Sequence, residues 1–200
     1  MTFEEIINKK QLTGKQNSQI ATLNKINENF GFDPISIVET GCIRNPTDRY
    51  KMGDGWTTLT WLLWAEHTDS RIYTIDIDKE CLDIARSVVG ITNKVHFVHS
   101  DSVKFFKELP KNFKIDLLFL DSYDWIGDSD NKMKSEVHQL NEIIYAMPSL
   151  HDKSLILLDD MFDDGDGKRY GKGNFSIPFL LSNGWKIIHH IDTQVLFERE

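Results

Sequence analysis

Short segments that are apolar at almost every position recur along the chain. They fall at residues 35–40 (ISIVET), 71–77 (RIYTIDI), 95–99 (VHFVH), 115–121 (IDLLFLD) and 154–159 (SLILLD). Between them the pattern predicts helices at about 56–67, 78–89, 101–108 and 134–147. A strand that is apolar on both faces must be covered on both faces, and strands alternating with helices build a parallel sheet. Ahead of the first strand, Ile20, Leu23, Ile26 and Phe30 recur at helical intervals over 15–30, and Gly31 ends the pattern. This helix is expected to lie on the core. The C-terminal end differs. Residues 175–183 read as a helix, Asn183-Gly184 as a turn, and WKIIHHI and TQVLFER follow with only Asp192 between them. Two strands so close in sequence pair as a hairpin, so one of them must run against its neighbours. The expectation is an α/β fold: a doubly wound, mostly parallel seven-stranded sheet with an antiparallel last strand and helices on both faces.

The length of 200 residues suits one domain. We divide it into an N-terminal helical segment, 1–31, and a core, 32–200. The two cysteines, Cys42 and Cys81, have no metal-type spacing and suggest no disulfide framework, which fits a reducing compartment. The start, MTFEEIINKKQ, has no apolar signal core, and the longest greasy run, 59–65, is too short to span a bilayer. A cytoplasmic protein without membrane attachment is expected. The formal net charge is −8 and no basic run is visible, which argues against a nucleic-acid partner and for a small molecule.

In an open parallel sheet, ligands bind beyond the carboxyl ends of the strands. Those ends are acidic here: Glu39, then Asp76 and Asp78, Asp101, Asp121, and finally Asp159 with Asp160. Capping of the next helix accounts for Asp101 and partly for Asp78. It does not account for Asp76, at the end of an apolar strand, or for two adjacent acids after SLILL, where an unpaired carboxylate is costly. An acid at the end of the second strand of a nucleotide-binding unit accepts hydrogen bonds from ribose hydroxyls, and Asp76 occupies that place. The first turn reads Glu39-Thr40-Gly41-Cys42-Ile43-Arg44 and carries one glycine of the G-x-G-x-x-G fingerprint. Pyrophosphate binding, and with it a nicotinamide-dependent oxidoreductase, is poorly supported.

The succession VETGCIR, IYTIDID, HSDSVKFF, IDLLFLDSYDW and SLILLDD resembles the ordered motifs of class I S-adenosylmethionine-dependent methyltransferases. Within that superfamily it is most similar to the small-molecule, catechol O-methyltransferase-like branch, over roughly 35–200. The resemblance implies a Rossmann-like fold and S-adenosylmethionine as cofactor. Gly41 would let the backbone approach the methionine part, with Glu39 near its amino group. Asp76 would hold the ribose, Ile77 would pack near the adenine, and Asp101 and Ser102 would sit at the adenine end. Asp121 would lie between cofactor and acceptor. The first motif departs from the family, because residues 43–52 separate ETGC from GDGWTT. Gly55 and Thr57 are read as the displaced second half of the cofactor loop. The intervening RNPTDRYK is either a flap whose Arg44, Arg49 and Lys51 meet an anionic substrate or an ordinary solvated loop.

The same resemblance implies a divalent-metal site, Mg²⁺ or another divalent cation, at Asp121, Asp159 and Asp160; carboxylate oxygens suit such hard ions. In the catechol-type enzymes a lysine three residues after the first ligand acts on the acceptor, and that position is Asp124 here. The catalytic candidates are therefore Asp121, Asp124, His138, which forms an i, i+4 pair with Glu142, and Lys172 in the GKG segment. Tyr123 and Trp125 either line a pocket for a sugar or aromatic ring or anchor their loop. Residues 161–173 (MFDDGDGKRYGKG) are expected to form a flexible acidic loop. The expected activity is methyl transfer to a small hydroxylated acceptor, with a homodimer an open option. Two alternatives remain open at this point: a hydroxylase-like tailoring enzyme on the same fold, or a cofactor-binding module without catalysis. An iron facial triad would need two histidines, and the adjacent His189 and His190 point to opposite faces of their strand.

Overall fold

A computed structural model describes residues 15–47, 56–166 and 168–200. Seven strands form the main sheet: β1 (Ser36–Thr40), β2 (Arg71–Asp76), β3 (Val95–His99), β4 (Ile115–Leu120), β5 (Leu150–Leu158), β8 (Trp185–Ile191) and β9 (Gln194–Arg199). Between β5 and β8 a small separate hairpin pairs β6 (Met161–Asp163) with β7 (Arg169–Gly171). The order across the main sheet is β3-β2-β1-β4-β5-β9-β8. The first five strands in that order are mutually parallel, and β9 runs antiparallel to both β5 and β8. The last strand in the chain is thus the antiparallel one, as expected, and it lies between β5 and the edge strand β8.

Strand alternation sorts the core into two layers. Ile37, Leu117, Phe119, Leu155 and Leu157 face one side, against helices α1 (Gln16–Phe30) and α2 (Thr57–Thr68). Val38, Leu118, Leu120, Ile156 and Leu158 face the other, against α4 (Ser102–Glu108), α5 (Ser129–Ala146) and α6 (Ser176–Ser182). Both faces are dry, which is why these strands read as unbroken apolar runs. Helix α2 is buried nearly all round, with Trp61 edge-on to Phe119 at 5.9 Å between ring centroids. Helix α3 (Lys79–Val89) buries Leu82 and Ala85 beside Cys42 and Ile43.

Local chemistry sets the helix ends. Asp78 caps α3 by accepting from the Glu80 N–H, and Asp101 caps α4 by accepting from the Lys104 N–H, both at 2.8 Å. Helix α5 starts at Ser129, five residues earlier than the expected 134, because Asp128 accepts from the Asn131 N–H at 3.0 Å and acts as its cap. The hairpin β6–β7 replaces the loop expected over 161–173. Among the described residues no helix is long and apolar enough to cross a membrane.

Candidate functional site

The parallel ladder continues one step beyond the strands. The Gly41 N–H reaches the Ile75 carbonyl at 2.9 Å, the Asp121 N–H reaches Thr40 at 3.0 Å, and the Asp159 N–H reaches Leu120 at 3.1 Å. Glycine at 41 is required by this geometry. Its φ is +83°, and a Cβ there would lie 2.5 Å from the Asp121 carbonyl oxygen. A cavity of about 410 Å³ opens over these ends, and Gly41, Asp76, Ile77, Asp101, Ser102 and Asp121 all line it.

The acids at the cavity divide by role. Asp76 accepts from the Asp78 N–H at 2.8 Å through one oxygen and from the Cys42 thiol at 3.2 Å through the other. Burial, reinforced by the Asp76 carboxylate, pushes the Cys42 thiol well above its ordinary range, so it remains a donor. Asp101 spends one oxygen on its helix cap, as the capping argument anticipates. Ile77 is an apolar side chain 70% exposed at the cavity.

Two assigned cofactor contacts lie elsewhere. Glu39 is 1% exposed and does not line the cavity; one carboxyl oxygen accepts from Thr58 at 2.7 Å and Thr74 at 2.9 Å. Thr58 comes from α2 and Thr74 from β2, so the carboxyl is sealed beneath the cavity floor. Burial pushes it up to about 8, against the pull of those two hydroxyls. Thr57 opens α2 and is also buried away from the cavity. Gly55 lies outside the described residues, as do Arg49 and Lys51.

Of the catalytic candidates, Asp124 and His138 line the cavity and Lys172 does not. Asp124 is paired with Arg44: one guanidinium nitrogen lies 2.8 and 2.7 Å from its two oxygens, and both residues border the cavity. Arg44 therefore clasps the loop after β4. His138 Nε2 lies 3.0 Å from Ser102 Oγ and 3.5 Å from Glu142 Oε1, at the end assigned to adenine. Burial pulls its imidazolium down, but the Glu142 hydrogen bond and charge outweigh this and leave it above the ordinary range. Glu142 is fully buried and also accepts from Ser122 at 2.7 Å. Tyr123 lines the cavity, whereas Trp125 packs on Phe162 and Tyr170 of the hairpin and donates to Glu136, so it anchors its loop.

Asp121, Asp159 and Asp160 do converge, with carboxylate oxygens all within 4.8 Å of one another. The space between them is taken. Lys172, 0% exposed, places its ammonium 2.9 Å from Asp121 and 3.1 Å from Asp160. Lys15 lies 2.6 Å from Asp159, which also accepts from Gln194 at 3.0 Å and from the Asp160 N–H at 2.6 Å. A divalent ion would have to expel the Lys172 ammonium from a buried position and leave it unpaired, which is strongly unfavourable. The donor set has the composition a hard ion wants, but as folded it does not fit one. In this structure the three acids are paired with lysines rather than arranged around an open position. The position of Lys15 had no sequence signal. Burial pulls the Lys172 ammonium down and the three carboxylates more than restore it, so it stays charged. Among the described residues no other cluster of metal-ligating type forms. His189 and His190 pair with Leu196 and Val195, which belong to opposite core layers, so these two cannot both join one facial triad.

Comparison with known proteins agrees with this fold. A family model described as a methyltransferase domain matches residues 51–161. No curated protein matches the sequence. Among solved structures, the chain resembles the S-adenosylhomocysteine-bound methyltransferase PaMTH1 of Podospora anserina. That match has 15% identity, 88% of this chain and 76% of that one covered, and a TM-score of 0.60. It also resembles the N-methyltransferase NodS of Bradyrhizobium japonicum in complex with S-adenosylhomocysteine (10%, 92% and 87%, 0.54) and human methyltransferase-like protein 13 (14%, 92% and 80%, 0.60). At these identities the likeness is one of fold. The family model covers more than half of the sequence, and the chain belongs to the methyltransferase domain family.

Proposed function

We propose that this protein transfers a methyl group from S-adenosylmethionine to a hydroxyl oxygen of a small acceptor. The observation that carries the reading is the cavity at the carboxyl ends of β1, β2 and β4, with the Asp76 carboxylate facing it at the end of β2. The residues fit the cofactor. Asp76 offers acceptor oxygens to ribose hydroxyls, which are better donors than the thiol it now holds. Ile77 supplies an apolar wall for a purine, and Ser102 with His138 supplies polar groups at its edge. Gly41 keeps the floor bare of side-chain atoms.

When bound, S-adenosylmethionine supplies an electrophilic methyl carbon that is displaced in line by the acceptor. The chain's part is to position the two reactants, exclude water and take up the acceptor proton. Asp121 is the carboxylate at the cavity that can take that proton, and its place is fixed by Lys172. No step in this reading uses a metal. The small cavity and the −8 charge favour a neutral or cationic small acceptor over nucleic acid.

Calorimetric titration with S-adenosylhomocysteine tests the cofactor reading. Wild type should bind, Asp76→Ala should lose at least about tenfold in affinity, and Asp159→Ala should retain it. No binding of either S-adenosylhomocysteine or S-adenosylmethionine to wild type would overturn the reading. Transfer of label from methyl-labelled cofactor to a panel of hydroxylated small molecules tests the acceptor class. Labelling of amine acceptors alone would overturn the oxygen assignment.

A further inference from the structure

The Lys172 side chain does not line the cofactor cavity, yet the backbone around it is shaped to deliver it to the acids at the cavity's edge. Asp160 adopts φ +54°, in the left-handed region that non-glycine residues rarely enter. Gly171, paired with Met161 at the base of the β6–β7 hairpin, has φ +137°, and a Cβ there would lie 2.0 Å from the Asp160 carbonyl oxygen. That contact leaves glycine as the only residue that fits. The Lys172 N–H then donates to the same carbonyl at 3.2 Å. The hairpin thus leaves the sheet at Asp160 and returns the chain one residue past its own starting point. The returning residue is a lysine whose ammonium bridges Asp121 and Asp160.

We infer that Lys172 is the resident cation of the methyl-transfer centre, standing where the catechol-type resemblance puts a divalent ion, so that the centre works without a metal. The inference rests on the methyltransferase reading above. Three carboxylates share two ammoniums, Lys172 across Asp121 and Asp160 and Lys15 on Asp159, leaving one formal negative charge. A dication added beside both ammoniums would make the cluster net positive in a buried site. A dication replacing Lys172 would strand an ammonium with no exposed surface. Lys172 does not line the cavity and is a positioning residue. It holds Asp121, which does line it, in place for the acceptor.

Titration with Mn²⁺ alone, followed by the loss of the free-ion paramagnetic resonance signal, tests the idea. Wild type should show no specific binding. Lys172→Met keeps the stem, vacates the cation position and should bind Mn²⁺ at least about tenfold more tightly than wild type, because the three carboxylates then keep only the Lys15 ammonium as counterion. Lys172→Arg restores a cation and should return to the wild-type result, which a merely space-filling role would not produce. Circular dichroism establishes that each variant is folded. Wild-type Mn²⁺ binding that Asp159→Asn weakens would overturn the inference without recourse to any lysine variant. So would a folded Lys172→Met with no gain in Mn²⁺ affinity. S-adenosylhomocysteine titration of the same wild-type sample keeps the two readings apart. Its failure removes the methyltransferase assignment, while the Mn²⁺ result still decides whether Lys172 holds the place of an ion.

Discussion

Replacement of Glu39 by glutamine should flatten the dependence of stability on pH. The carboxyl is fully enclosed, and burial lifts it from an ordinary 4.5 to about 8. Between those values the folded state keeps a proton that the unfolded chain has released. Stability from this group is therefore complete below about pH 4.5 and falls as pH rises, levelling off only above about pH 8. The whole displacement corresponds to about 5 kcal/mol at most. Even half of that, about 2–3 kcal/mol, is a large share of the 5–15 kcal/mol typical of a domain. Glutamine has nearly the same shape and its amide oxygen can accept from Thr58 and Thr74, but it does not titrate. Urea unfolding of both proteins from about pH 5 to about pH 9 measures the difference directly. Wild type should lose stability relative to Glu39→Gln across that range, whatever constant offset the substitution introduces. Parallel curves would show that Glu39 ionises at its ordinary value in the fold. The argument that the carboxyl is sealed beneath the cavity would then fail.

Gly41→Ala combines a left-handed φ with a Cβ 2.5 Å from the Asp121 carbonyl oxygen, a backbone atom that cannot swing aside. It should cost about 2–4 kcal/mol in urea unfolding and weaken S-adenosylhomocysteine binding; a loss under about 1 kcal/mol would mean that β1 and β4 separate easily. The Arg44–Asp124 pair is about half exposed on both sides, so Arg44→Ala and Asp124→Ala should each change stability by no more than about 1 kcal/mol. Because the pair closes the loop after β4 over the cavity, the two variants should weaken S-adenosylhomocysteine binding by similar factors. The double variant should be no worse, and additive losses in calorimetry would show that the two residues act separately.

The sequence made some of this legible and withheld the rest for physical reasons. The parallel strands followed from apolar runs that need cover on both faces, and the antiparallel last strand from a terminal pair too close in sequence to cross over. The acids at the strand ends were visible because a charged residue after five apolar ones has few structural uses. What could not be read was depth. Glu39 stands at the same sequence distance from its strand end as a ligand-binding acid would. Only the arrival of Thr58 from α2 and Thr74 from β2 places it under the floor. The start of α5 was missed because its cap, Asp128, sits in a polar stretch where one aspartate looks like another.

The carboxylate cluster shows the same limit most clearly. Its three acids could be named from the strand pattern and the resemblance, and Lys172 could be placed near them. The nature of the counterion could not be read in this way. It depends on Lys15, which approaches from 144 residues away in sequence, and on a hairpin hidden in a segment that reads as a loop. The glycine at 171 and the left-handed turn at Asp160 convert that segment into a device that returns a lysine to its own origin. The acids at the ends of the fourth and fifth strands of this chain hold a cation between them. Whether the cation is an ion or a side chain is settled by what the chain brings back after the fifth strand. Here it brings back an ammonium with no exposed surface.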